Sequence, residues 1–297
     1  MKWENKSCLV TGGSGFLGSH LVDELLKKNA NVTVLDLKPP VQNEVEFLKW
    51  DVSKKPEIPG NIDFIFHLAA LAYPRDCEQN PSLAFNTNVT GTLNMLLLAV
   101  EKNIQKFLFP SSAQLYGRFP KYLPVDEKHP IEYSNNFYST SKKFGEDLCS
   151  TFYEKHGLPI VFFRLFNAFG PRQLSEYLIP TIILQALEKG EIELWNDKPT
   201  RDFTYVSDTI RAFLEAASSP FCGGPINIGS GKEIQVGQIA HQIASALNAN
   251  VRFLNKEVIG SMQLCSDISS ARKILTWEPE VSFEEGLSRT IESFRKK

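Results

Sequence analysis

Thr11-Gly12-Gly13-Ser14-Gly15-Phe16-Leu17-Gly18 is the stretch on which the fold turns. Gly13, Gly15 and Gly18 fit G-x-G-x-x-G, and Gly12, Gly15 and Gly18 fit G-x-x-G-x-x-G. Either spacing meets one physical need. The backbone turns tightly, approaches a pyrophosphate without Cβ atoms in the way, and aims a helix N-terminus at the negative charge. The context matches that need: an apolar strand, Cys8-Leu9-Val10, runs in, and Phe16, Leu17, Leu21 and Leu25 recur at helical spacing behind it.

Outward from this turn, short apolar runs alternate with helical patterns. Val32–Leu35, Phe64–Phe66, Phe107–Phe109 and Ile160–Phe163 read as buried strands. Leu93, Leu96, Leu97 and Val100 form one face of an intervening helix. Continuous apolar strands separated by amphipathic helices predict a parallel sheet covered on both faces, a Rossmann-type doubly wound α/β fold. After Gly170 the regularity fades. From about Pro225 a strand (Ile226–Ile228) and a helix (Ile239, Ile243, Leu247) mark a smaller α+β substrate-binding lobe. The predicted division is 1–170 for the dinucleotide domain, with a return to it around 203–228, and 171–297 for the lobe.

Asp36 ends the second strand, eighteen residues past Gly18. A carboxylate there hydrogen-bonds ribose hydroxyls and repels a 2′-phosphate, which favours NAD over NADP, with Lys38 nearby to soften the preference. Asp51-Val52 follows the next short strand, placing Asp51 within reach of an adenine amino group.

The bulk composition narrows the partners. The 297 residues carry 32 Lys plus Arg against 34 Asp plus Glu, a net charge of −2, which gives no electrostatic footprint for nucleic acid. Cys8, Cys77, Cys149, Cys222 and Cys265 are odd in number and widely spaced, so reduced thiols are expected in place of a disulfide framework. No HExxH or CxxC points to a metal. The N-terminus has no signal-peptide pattern, and no apolar run approaches the ~18 residues of a membrane span. A cytoplasmic protein is the expectation.

Tyr138-Ser139-Thr140-Ser141-Lys142 gives Y-x-x-x-K, which puts a phenol and an ammonium on one helical face. A free tyrosine, with a pKa of about 10, is a poor base at neutral pH. Bringing it to ~7 takes roughly 4 kcal/mol of phenolate stabilisation, which a lysine together with a positive nicotinamide ring would supply in a closed site. Upstream, Ser112 lies in Pro110-Ser111-Ser112-Ala113-Gln114-Leu115-Tyr116-Gly117, just past the strand Phe107–Phe109. A serine at that strand end hydrogen-bonds a reacting hydroxyl and helps hand its proton to the tyrosine.

These residues together resemble the extended short-chain dehydrogenase/reductase family, in its nucleotide-sugar epimerase/dehydratase group. The resemblance runs through His67-Leu68-Ala69-Ala70, Asn88-Val89-Thr90-Gly91-Thr92, Arg164-Leu165-Phe166-Asn167, Gly170-Pro171-Arg172-Gln173, Arg201-Asp202-Phe203-Thr204-Tyr205-Val206, Asn227-Ile228-Gly229-Ser230-Gly231 and Asp267. It implies that Ser112, Tyr138 and Lys142 are catalytic. It places NAD against Gly12, Gly15, Phe16, Leu17, Gly18, Asp36, Asp51, Val52, Leu68, Ala69, Ala70, Asn88, Tyr138, Lys142 and Phe166. Asn167, Leu178 and Arg201 would hold the nucleotide diphosphate, His67 and the Gly229–Gly231 turn would be structural, and a homodimer would form through helices flanking the sheet. Dehydratases of the group look to need an acid and a base, and sugar-acid decarboxylases a Glu, where this sequence has Ala113 and Gln114. The resemblance therefore points to a UDP-sugar 4-epimerase, with a 4-keto reductase or a dehydratase as the alternative and a non-catalytic NAD-binding protein as the minor one. Two departures bear on the nucleotide. Glu257-Val258-Ile259-Gly260 replaces an Arg-x-Gly-Asp-like stretch, and Trp195 stands where many relatives have glycine.

Overall fold

A computed structural model describes residues 2–132, 136–257 and 261–296. The strands are β1 (Ser7–Thr11), β2 (Asn31–Asp36), β3 (Glu46–Lys49), β4 (Phe64–His67), β5 (Lys106–Ser112), β6 (Ile160–Leu165), β7 (Asn167–Phe169), β8 (Glu191–Leu194), β9 (Thr200–Tyr205), β10 (Gly224–Ile228), β11 (Glu233–Gln235) and β12 (Asn250–Phe253). The helices are α1 (Phe16–Lys27), α2 (Pro74–Gln79), α3 (Pro81–Phe85), α4 (Gly91–Lys102), α5 (Phe137–His156), α6 (Leu178–Lys189), α7 (Val206–Ser218), α8 (Val236–Leu247), α9 (Ser269–Leu275) and α10 (Phe283–Arg295).

Seven parallel strands form the central sheet in the order β10-β6-β5-β4-β1-β2-β3. The chain builds outward from β1 in one direction and then from β4 in the other. The strand order therefore reverses between β1 and β4, and the crevice at their carboxyl ends is where such sheets bind ligands. Every residue of β4 and β5 is buried, and their centres, Phe64–Phe66 and Phe107–Phe109, read as unbroken apolar runs for that reason. Two small sheets, β11-β9-β7 and β12-β8, complete the fold, with β7 starting just past the carboxyl end of β6. The five cysteines are free thiols, with Cys8, Cys77 and Cys149 buried.

Two expectations are corrected. The strand Ile226–Ile228, whose pattern marked the smaller lobe although it falls within the expected return around 203–228, is the seventh strand of the main sheet and pairs with β6 from Gly224↔Val161 to Ile228↔Leu165. The helix α7 brings the chain back, its Phe213 ring 4.6 Å from Phe163 of β6. A short buried strand carries no local mark of its partner, because pairing is nonlocal. The face of α4 that meets the sheet is Met95, Leu96, Leu98 and Ala99, while Leu97 and Val100 are exposed at 42% and 37%. Both sides of this helix are apolar, so periodicity alone does not say which one is buried. The run Pro81–Lys102 is long and apolar enough by composition to cross a membrane. Here its inner side seats in the core, and Asn88 and Asn94 hydrogen-bond to backbone carbonyls at Leu71 and Val52.

Candidate active site

The turn between β1 and α1 is shaped by close approach. Gly12 has φ +69°, and a Cβ there would stand 2.6 Å from the Ala69 nitrogen. A Cβ on Gly18 would stand 2.1 Å from the Gly12 carbonyl oxygen. Neither position accepts even alanine without moving backbone. The bare turn leads directly into the N-terminus of α1, where the first amide groups lack intrahelical acceptors and suit an anion. Asp36, at the end of β2, accepts from the Ser14 amide at 3.0 Å and from the Lys38 amide at 3.1 Å, which fixes its carboxylate beside the turn.

A cavity of about 1070 Å³ opens along the carboxyl ends of the strands. Gly12, Gly15, Phe16, Leu17, Gly18, Leu68 and Ala70 line it, as do Ser112, Tyr138, Lys142 and Phe166. Asn167, Leu178 and Arg201 line it too. Asp36, Asp51, Val52, Ala69 and Asn88 are not among its walls. Asp51 accepts the Ser53 amide at 2.9 Å within a turn, and Val52 is buried against Gly91. Asn88 clamps the segment after β4: its Oδ1 accepts the Leu71 amide at 2.8 Å, and its Nδ2 donates to the Leu71 carbonyl at 3.0 Å and to Ser141 Oγ at 2.9 Å. It thereby holds the wall that Leu68 and Ala70 form.

Asn136 caps α5, its side chain accepting from the Ser139 amide at 2.8 Å, and the helix presents Tyr138 and Lys142 on one buried face. Lys142 Nζ donates to the Pro110 carbonyl at 2.8 Å and lies 6.0 Å from the centre of the Tyr138 ring. Burial pushes the Lys142 pKa down to about 8. Burial raises that of the Tyr138 phenol above its ordinary value, as do Tyr177 and Cys77, while the neighbouring Ser112 hydroxyl pulls it back. Ser112 Oγ also accepts the Gln114 amide at 3.2 Å, which fixes the hydroxyl at the mouth of β5. The phenol, hydroxyl and ammonium thus meet in one buried group.

His67 serves structure. Its Nε2 faces Thr92 Oγ1 at 3.1 Å, and that hydroxyl donates onward to the Asn88 carbonyl at 2.6 Å. Nε2 must therefore carry the proton, while Nδ1 accepts from Thr11 Oγ1 at 2.7 Å. Burial, with the charge of Lys142 adding to it, holds the His67 pKa down at about 3, so the ring is neutral.

Arg201 and Asp202 point to different tasks. Asp202 is fully buried and accepts from Ser230 N and Oγ, Gly231 N, and Ser266 N and Oγ, which fixes the Gly229–Gly231 turn. Arg201 lines the cavity, donates to the Thr200 carbonyl at 2.7 Å, and has no carboxylate partner among the described residues. Burial lowers its pKa, the mark of a guanidinium short of counter-charge. Asn167 is set beside it by donating to the Asp202 carbonyl at 3.0 Å. Arg164 instead binds Glu146 through two hydrogen bonds of 3.0 and 2.9 Å and is a buried structural pair. Trp195 lines the cavity, 49% exposed, with Lys256 Nζ 5.8 Å from its ring centre. Val258, Ile259 and Gly260 lie outside the described residues.

Sequence reasoning missed Tyr177 and Gln173. Both lie in the 170–177 segment, which has no periodicity to read, and both line the cavity. Burial raises the Tyr177 pKa to about 12. Ser111 Oγ and Gln173 Oε1 are buried, line the same cavity, and find no hydrogen-bond partner among the described residues. A glycine cradle, a helix N-terminus, a strand-end carboxylate and unpartnered polar atoms together fit a dinucleotide.

Fold and site therefore define a dinucleotide-dependent enzyme with a Tyr-Lys-Ser centre. The profile of the NAD dependent epimerase/dehydratase family matches residues 8–229, and the chain belongs to that family. UDP-glucuronic acid decarboxylase 1 of Xenopus tropicalis is 33% identical over 99% of this chain and 73% of that protein. The UDP-N-acetylglucosamine 4-epimerase of Methanobrevibacter ruminantium, solved with UDP-N-acetylmuramic acid, superposes with a TM-score of 0.90 at 28% identity, covering 99% of both chains. The UDP-glucose 4-epimerase of Thermotoga maritima, solved with UDP-glucose, gives 0.89 at 28%, covering 98% of this chain and 99% of the other. The protein is an NAD-dependent member of a group that epimerises, dehydrates or decarboxylates nucleotide sugars.

Proposed function

We propose that this protein inverts C4 of a nucleotide-diphosphate sugar, taken as a UDP-sugar, through a transient 4-keto intermediate. The observation that carries this reading is the pair beside Ser112: Ala113 and Gln114 line the cavity, and neither exchanges protons. Elimination of water would need a base for one sugar carbon and an acid for the departing hydroxyl. Epimerisation needs neither.

NAD, when bound, supplies a reversible hydride acceptor for the sugar carbon. The chain supplies the proton path. Tyr138 takes the proton of the C4 hydroxyl, Ser112 beside it orients that hydroxyl, and Lys142, 6.0 Å from the phenol ring, is the nearby cation; because burial raises the phenol's pKa, the phenolate also needs the positive charge that oxidised NAD would bring. Arg201 takes the diphosphate, since its planar fork matches phosphate oxygens and no carboxylate among the described residues competes for it. The 33% identity to a UDP-glucuronic acid decarboxylase favours one second reading, loss of carbon dioxide from a UDP-sugar acid.

Incubation with NAD⁺, and separately with NADPH, against a panel of nucleotide sugars, sugar acids and 4-keto sugars tests the proposal. Chromatography coupled to mass spectrometry is expected to give an isobaric product at a new retention time with no net cofactor consumed. Loss of carbon dioxide or water, or gain of two hydrogens with cofactor consumed, would replace the epimerase with a decarboxylase, dehydratase or reductase.

We also propose a homodimer through α4 and α5. Leu97 and Val100 on α4, with Phe137 and Phe144 on α5, leave an exposed apolar stripe on adjacent helices. Light scattering is expected to give twice the 33.5 kDa chain mass, and Leu97→Glu with Phe144→Glu to return the chain mass itself.

A further inference from the structure

Gly170-Pro171-Arg172-Gln173 contributes only Gln173 to the cavity described above, yet its contacts reach across the molecule. We propose that Arg172, His20 and Asp23 form a latch that holds the 170–177 segment against α1 and so retains bound NAD. The inference rests on NAD dependence alone and stands whichever reaction the enzyme runs.

Arg172 forms an ion pair with Asp23, and its Nη2 donates to His20 Nδ1 at 2.8 Å. His20 Nε2 meets the Pro171 carbonyl at 2.9 Å. A guanidinium only donates, so Nδ1 must accept, and Nε2 carries the proton it gives to Pro171. The ring is the neutral tautomer, in keeping with the burial that lowers its pKa below 6.5. Arg172 itself sits at φ +66°, a left-handed conformation that costs a non-glycine residue energy and that these contacts offset.

Asp23 has a second attachment. Gln42 Nε2 donates to Asp23 Oδ1 at 2.5 Å and to the Ser19 carbonyl at 2.8 Å. The loop after Asp36 is thereby tied to the same turn of α1 as the 170–177 segment. One helix carries the glycine cradle at its start and both ties along its next two turns. Gln173, Leu174 and Tyr177 line the cavity together with Gly15 and Phe16 of that cradle. Moving the segment away from α1 separates two walls of the NAD site, and the latch opposes that movement. Arg172 and Asp23 are positioning residues, since no catalytic atom touches them.

The test is the dissociation rate of NADH, followed by its fluorescence after addition of excess NAD⁺. Asp23→Asn and Arg172→Ala are each expected to raise the rate on the order of tenfold, the scale of a partly exposed charge-assisted contact with its hydrogen bonds. Asp23→Glu should restore most of the retention. Lys27→Ala, which removes a neighbouring cation whose partner is Glu24, should stay within about twofold of the parent. Rates unchanged in the first two variants, even with lowered melting temperatures, would make the cluster a structural clasp only. An equal rise in Lys27→Ala would trace the effect to helix charge. Either result overturns the latch.

Discussion

A Tyr138→Phe enzyme is expected to lose about 10²–10⁴-fold in turnover and to bind NAD as before, the range for removal of a positioned general acid or base. The phenol is 9% exposed and its ring packs with Cys77, Ala84 and Leu71, so phenylalanine keeps the packing and removes only the hydroxyl. What goes with it is the phenol oxygen that neighbours Ser112 and takes the sugar proton. The glycine cradle and Asp36 lie on β1, α1 and β2 and do not depend on that hydroxyl. Calorimetry with NAD⁺ should therefore show a dissociation constant within about twofold of the parent, while single-turnover kinetics collapse. Retained turnover would remove Tyr138 from the chemistry. Lost NAD affinity would mean that the hydroxyl holds the cofactor site together.

The parts of this molecule legible in its sequence are those set by local sterics or by a helical spacing. Gly12 and Gly18 were readable because no other residue fits where backbone meets backbone at 2.6 Å and below. Tyr138 and Lys142 were readable because a spacing of four fixes them on one face before any tertiary contact forms. Asn88 shows the limit: its motif was recognisable, but its work on the Leu71 backbone and Ser141 depends on segments far along the chain. The strand Ile226–Ile228 was legible as a strand but not as belonging to lobe or returning chain, and the two apolar faces of α4 leave the buried one open, for the same reason: partner choice is decided by the assembled sheet. The latch is the extreme case. Arg172 meets His20 and Asp23 across separations of 152 and 149 residues, and nothing near Arg172 in sequence announces them.

Lys142→Met is expected to lose turnover and to gain stability at neutral pH, and the pH dependence of that gain identifies its cause. Lys142 is 4% exposed, and its nearest anchor is a neutral carbonyl at 2.8 Å in place of a carboxylate. Burial brings its pKa down from 10.5 to about 8. Between those values the unfolded chain holds a proton that the folded chain has given up, so this group makes stability rise with pH there. Below about pH 8 both states are charged and the folded state bears the full cost, about 3 kcal/mol at ~1.4 kcal/mol for each pH step. Methionine removes that cost but leaves the Pro110 carbonyl unpaired, at about 1–2 kcal/mol. Urea titrations at pH 7 should therefore show a net gain of about 1–2 kcal/mol. Repeated towards pH 9.5, the advantage over the parent should shrink by about 2 kcal/mol and change sign as the parent lysine becomes neutral. A difference that stays flat with pH would mean the ammonium carries no burial cost. The charge would then be compensated in the folded state, and the enzyme would keep it at no expense to its fold. A difference that closes as described would mean that the fold holds a destabilising cation where only the chemistry at Tyr138 needs one.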